Sequence, residues 1–186
     1  MDNQNFLKHD MEDALKAVEV LAKAFNIPPF EIYILGGAGC VLAQYLDRAT
    51  RDFDIIDLEY DASLGLVMKP LEPFDLIDLQ LATIPPSYKA RAARLPQFEF
   101  LSVFVLSRED IIISKISRYN ERDISDIREL IVQADIKVMF QLVEEIFNAD
   151  YIPQAKSAML KNLAICMEEN NVPNHVQQLE KLRRRL

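Results

Sequence analysis

The sequence predicts an α+β fold, a short mixed β-sheet flanked by helices with a C-terminal helical region, on three observations. Strand-length apolar runs fall at 30–35, 52–58, 74–84 and 101–106, all in the first part of the chain. From Ile111 the pattern is helical almost to the end. Strands and helices are therefore segregated along the chain, which argues α+β.

Each element has its own justification. Met11, Ala14, Leu15, Val18, Leu21, Ala22 and Phe25 form one stripe at helical spacing, so residues 11–25 predict a docked amphipathic helix with Asp10 as N-cap. Pro28 and Pro29 end it, and FEIYIL at 30–35 alternates as a strand before Gly36 and Gly37 turn the chain. Residues 38–46 predict a short apolar helix, 52–58 the second strand and 74–84 the third, closed by Pro85 and Pro86. Residues 88–95 predict a short helix, and LSVFVL at 101–106 the last strand. A Ser107-Arg108-Glu109-Asp110 sequence fits a capping box and starts another helix. Helical breaks are expected near 120–125, 148–153 and 170–173. The division this predicts is an α+β core over 1–110 and a helical region over 111–186 packed on it, with no flexible linker between them.

Composition narrows the function. With 21 basic against 29 acidic residues and a net charge of −8, binding nucleic acid over a broad surface is disfavoured, while small substrates or one nucleic-acid end fit better. Cys40 and Cys166 lack ligand-like spacing to each other or to His9 and His175, so neither a zinc site nor a disulfide framework is indicated. No apolar run approaches the ~20 residues of a membrane span. A reduced, cytoplasmic protein with no membrane partner is the expectation.

Chemistry concentrates between Leu35 and Ile56, LGGAGCVLAQYLDRATRDFDII. Asp52 and Asp54 are spaced to share one side of an extended strand while Phe53 and Ile55 point to the other. Such a pair suits Mg²⁺, which takes one or two carboxylates plus substrate phosphates. Gly36 and Gly37, at a strand end and helix start, let backbone N–H groups approach phosphate without an intervening Cβ. Either feature alone has an ordinary structural explanation, a turn or a solvated acidic face. Their combination points to phosphate chemistry. Arg48, Thr50 and Arg51 precede the acids; phosphate contact and plain exposed turn residues remain alternatives for them.

Leu35-Gly36-Gly37 followed by Asp52-Phe53-Asp54 resembles the motif of the nucleotidyltransferase superfamily that includes DNA polymerase beta. More narrowly, the chain is similar to small bacterial nucleotidyltransferase-like proteins related to toxin components of toxin-antitoxin pairs, through Lys115, Arg122, Asp123 and Asp126. The resemblance spans roughly 30–130. It implies a transferase that moves a nucleoside monophosphate from an NTP to a hydroxyl of RNA, protein or a small molecule with Mg (or Mn), and an antitoxin or other cognate partner. It also implies catalytic roles for Asp52, Asp54, a third acid and Lys115, with nucleotide contacts from Gly36, Gly37, Arg51, Arg122 and Asp126. The third metal-binding acid normally lies on the next strand. Asp75 and Asp78 both fit but have opposite parity, and the more polar stripe favours Asp78. The family often has Ser where Gly37 stands.

If 110–126 were one helix, Lys115, Arg122 and Asp126 would share a narrow arc, because seven and eleven residues are close to whole turns. Lys115 and Arg122 would then bind a triphosphate or an acceptor's phosphate from an exposed face with Asp126 orienting them, or the face would carry ordinary ion pairs such as Arg122 with Asp126. Two rival functions stay open: a non-catalytic binding module or toxin-antitoxin partner on the same fold, and an Asp-x-Asp clamp for a nucleotide sugar, which the Gly-Gly placement fits poorly.

Overall fold

Five strands in the order β3-β2-β1-β5-β4 form one mixed sheet in the computed structural model, which describes residues 6–173 and 175–185. The elements run α1 (Lys8–Ala24), β1 (Glu31–Leu35), α2 (Gly36–Leu42), β2 (Phe53–Ile56), α3 (Leu64–Met68), β3 (Phe74–Ile77), β4 (Ala93–Arg94) and β5 (Ser102–Val105). Five helices follow: α4 (Arg108–Arg118), α5 (Glu121–Leu130), α6 (Ile136–Asn148), α7 (Pro153–Glu169) and α8 (His175–Arg183). The mixed α+β class, a short mixed sheet flanked by helices with a helical C-terminal region, is as the sequence predicts. Among the described residues, no helix is long and apolar enough to cross a membrane.

By contacts the chain divides into two units. Met1–Asp78 with Arg91–Ser107 holds the sheet and α1–α3; Leu79–Ala90 with Arg108–Leu186 holds the later helices. Segment 79–90, which lies within the span 1–110 read from sequence as the core, is tied to the helices by hydrogen bonds from the Tyr151 hydroxyl to the Ile84 carbonyl and from Ser87 to the Glu145 carboxylate.

In the sheet unit β1 runs parallel to β5 and antiparallel to β2, and β2 runs parallel to β3. One sheet face, built from Ile32, Ile34, Phe53, Ile55, Val103 and Val105, is fully buried in a core completed by α1, α2 and α3. The α1 stripe Met11, Leu15, Val18 and Ala22 is inaccessible to solvent; burying a Leu or Met side chain this way stabilises by about 1.5–3 kcal/mol. The helix starts earlier than predicted. Asp10 is not its N-cap but lies one turn in, and its carboxylate accepts a hydrogen bond of 2.9 Å from the Leu7 N–H.

Two further expectations are corrected. β3 ends at Ile77 rather than running to 84, because the chain turns through Leu79–Thr83, where Thr83 takes a positive φ of 52° and Ile84 N–H reaches back to the Leu79 carbonyl at 3.1 Å. The apolar periodicity of that run belongs partly to a turn packed in the helical unit. The helix predicted over 88–95 is a 3₁₀ turn at Pro86–Ala90 followed by the edge strand β4, which pairs with β5.

In the helical unit α4 is the central element, with Asp110 to Ile116 all buried. It stops at Tyr119, whose φ is 49°, and Asn120 caps α5 by accepting a 2.9 Å hydrogen bond from Asp123 N–H. Breaks at Ala149–Ile152 and after Glu169 fall where sequence places them; Pro153 opens α7 and Asn171 takes a φ of 53° after its end.

Candidate functional site

The corner where β1 becomes α2 is built against Asp54. Gly36 has a φ of +62°, and a Cβ on it would lie 1.7 Å from Asp54 Oδ2 and 2.7 Å from its carboxyl carbon. Only glycine fits there, on both conformational and steric grounds. A Cβ on the next residue, Gly37, would meet Thr50 Oγ1 at 2.6 Å and an Arg48 guanidinium nitrogen at 3.2 Å. Both glycines therefore bring bare backbone against the side chains of the segment that leads into β2.

The acids follow from strand geometry. Asp54 lies on β2 and Asp52 in the bend that enters it; both are half-buried, while Phe53 and Ile55 between and beyond them are fully buried in the core. The alternation predicted from sequence is present. The register pairs Asp54 with Leu35 on one side and with Asp75 on the other. Paired residues share a sheet face, so Leu35, Asp54 and Asp75 form a row on the face turned away from α1–α3. Asp78 lies past the end of β3 and is exposed. The preference for Asp78 over Asp75 is thus corrected in placement: β3 is an edge strand with exposed Leu76, so a polar stripe does not report its orientation. Neither Asp52 nor Asp75 has a cationic partner among the described residues, and no group of three or more His, Cys, Asp or Glu side chains there is arranged to hold a metal ion. Arg51 is exposed beside Asp52.

In the helical unit, Lys115 Nζ lies 2.7 Å from Asp126 Oδ2 and 3.3 Å from Asp123 Oδ1. The three side chains are only 4%, 6% and 4% exposed. Arg118 completes the cluster, its Nε and a terminal nitrogen at 3.3 and 3.0 Å from the two oxygens of Asp123. Burial pushes the Asp123 carboxyl up, but the hydrogen bonds and charge of Arg118, with Lys115 behind them, outweigh it and hold the group below its ordinary range. Lys115 and Arg118 thus face the carboxylates of Asp123 and Asp126.

The chain matches, over residues 12–171, the family described as "Nucleotidyltransferase of unknown function (DUF6036)". It belongs to that nucleotidyltransferase family. Searches of curated proteins and of solved structures return no match.

For a nucleotidyltransferase of this family, the site residues read from sequence fall into two groups. Gly36, Gly37, Asp52, Asp54 and Asp75 belong to the sheet unit and cluster through β1, β2 and β3. Lys115, Asp123 and Asp126 meet in the helical unit, but not as predicted: the exposed arc is corrected, because 110–126 is two helices with a corner at Tyr119–Asn120. Folding at that corner carries the α5 acids onto Lys115 and turns Arg122 out to solvent. Arg118, rather than Arg122, is the second cation. Its position one turn after Lys115 on α4 was the available signal. Thr50 was the other residue underweighted in the sequence, since nothing local shows that its hydroxyl is inside.

Proposed function

We propose that the corner of Gly36, Gly37, Asp52, Asp54 and Asp75 binds an NTP with a divalent metal and transfers its nucleoside monophosphate to an acceptor hydroxyl. The observation that carries this reading is the fit of Asp54 over Gly36: a carboxylate held directly against bare backbone at a strand-to-helix turn, with a second carboxylate, Asp75, in register beside it. A magnesium ion suits this donor set, because it takes one or two carboxylates and completes its shell from substrate phosphate and water.

Bound there, the metal would neutralise triphosphate charge and polarise the phosphoryl group. Asp52 and Asp54 would hold it, and the two glycines would let the phosphates approach the backbone. The acceptor oxygen bonds to the α-phosphorus as the bond to the β-phosphate breaks, pyrophosphate leaves with that electron pair, and Asp75 receives the acceptor's proton. Such chemistry depends on positioning and charge more than on many protein groups.

The test is incubation of the full chain with each α-labelled NTP, Mg²⁺ or Mn²⁺, and total small RNA, reading label on RNA and on the protein. Label should appear with wild type and vanish with Asp54→Asn. Thermal shifts should show that Mg²⁺ alone stabilises little and Mg²⁺ with nucleotide stabilises more, by RT ln(1 + [L]/Kd); Asp52→Asn should remove the gain. A wild type that melts at one temperature across all NTPs with either metal contradicts nucleotide binding. A second reading is a family member that binds nucleotide without transfer. It predicts the thermal shift without the label.

A further inference from the structure

Thr50 presents an anomaly beside the proposed nucleotide corner. The residue is 1% exposed, and its hydroxyl oxygen is buried with no hydrogen-bond partner among the described residues. Its backbone needs nothing from that hydroxyl: the Thr50 N–H and carbonyl are both paired with Phe6, at 3.0 and 2.6 Å. Valine would fill the same shape and make the same bridge without burying an unpaired polar group, which carries a desolvation penalty. The hydroxyl is also aimed. It lies 2.6 Å from the point a Gly37 Cβ would occupy, and the Arg48 guanidinium lies 3.2 Å from that same point. A hydroxyl and a guanidinium thus both lie close over the bare Gly37 backbone.

We propose that the Thr50 hydroxyl, set over Gly37 beside the Arg48 guanidinium, is a hydrogen-bond donor to the phosphate chain of the bound nucleotide. The donor set is the right one for an anion: a hydroxyl that can rotate its proton, a guanidinium, and backbone unshielded by a side chain. Arg48 is long and half-buried, and its terminal nitrogen at 3.0 Å from the neighbouring Ala49 carbonyl shows it curled back on its own loop. Thr50 is fixed in place by its paired backbone. The arrangement also gives Gly37 its reason. A side chain there would displace the Thr50 hydroxyl rather than add to it. This inference rests on the nucleotide reading of the corner and assigns the residue that grips the phosphates within it.

The closing experiment measures binding of a non-hydrolysable α,β-methylene NTP with Mg²⁺, and of the parent nucleoside, to the full chain as wild type, Thr50→Val, Thr50→Ser and Asp52→Asn, with a melting temperature for each. Thr50→Val should weaken the triphosphate about tenfold, the size of one lost charge-assisted hydrogen bond, and leave the nucleoside unaffected. Thr50→Ser should bind the triphosphate nearly as wild type does. The Val variant should melt at or above the wild-type temperature, since it removes an unpaired buried hydroxyl. A purely structural threonine would not combine retained stability with a loss selective for phosphate. Should Thr50→Val fail to fold, Thr50→Ala supplies the hydroxyl-free comparison. Triphosphate binding unchanged in the hydroxyl-free variant, with Asp52→Asn still losing it, overturns the role of Thr50 and leaves the nucleotide reading standing. A wild type that binds no triphosphate overturns both.

Discussion

The acid-and-glycine corner of the sheet unit and the Lys115 cluster of the helical unit use the same kinds of residue toward opposite ends. At the corner, Asp52 and Asp54 are half-buried, Asp75 is exposed, and neither Asp52 nor Asp75 has a cation among the described residues. In the cluster, Lys115 is held by Asp123 and Asp126 at 3.3 and 2.7 Å, and Arg118 pairs with Asp123. Asp52 and Asp75 have no cationic partner among the described residues, whereas the cluster holds cations and carboxylates against each other. On the proposed reading, the carboxylates at this turn of bare backbone serve a metal and a polyphosphate. Charge paired inside a helix corner holds that corner together, and Lys115 could touch a phosphate only by giving up two carboxylates.

The strongest way to break this contrast is Lys115→Ala. An exposed lysine would be trimmed with little effect, but this one leaves two buried carboxylates without their ammonium, and the loss of one partner of a buried pair costs about 3–5 kcal/mol. Urea denaturation should show it; a loss under about 1 kcal/mol would return Lys115 to the surface-ligand role read from sequence. Next comes Gly36→Ala. The left-handed φ alone costs about 1–2 kcal/mol, and the added methyl must also push the Asp54 carboxylate aside. Stability should fall modestly while nucleotide-dependent stabilisation disappears, whereas Gly65→Ala, with open space around its Cβ, should do neither.

Acid titration sharpens the comparison from the other side. The Asp123 carboxyl is held below its unfolded value, so the unfolded chain binds its proton first as pH falls. Its contribution to stability is complete above the unfolded carboxylate pKa near ~4 and is lost progressively as pH drops from there through the lower folded value. The wild type should therefore lose stability more steeply below that point than Asp123→Asn, as followed by helical circular dichroism. The smallest expected effect is Arg122→Ala: the side chain is exposed on α5, so stability should change by less than about 0.5 kcal/mol. A large loss would mean that Arg122 belongs to the cluster after all.

Much of this was legible in the order of residues because it depends on local periodicity. The α1 stripe, the β1 and β5 cores, the Gly-Gly turn and the alternation of Asp52 and Asp54 with Phe53 and Ile55 follow from spacings of 3.6 and 2 residues, which any chain carries openly. The fold class and the family follow from those. Tertiary structure decided what spacing cannot. Asp75 rather than Asp78 stands beside Asp54 because strand register is set by packing between strands, and parity on an edge strand reveals only that the two acids face opposite ways, not which of them lies with Asp54. Lys115 is buried because the chain bends at Tyr119–Asn120, and two residues eight or eleven positions apart meet across a bend as readily as along a helix. Thr50 turns its hydroxyl inward because Phe6, more than forty positions away in sequence, pairs with its backbone, a contact that no local pattern contains.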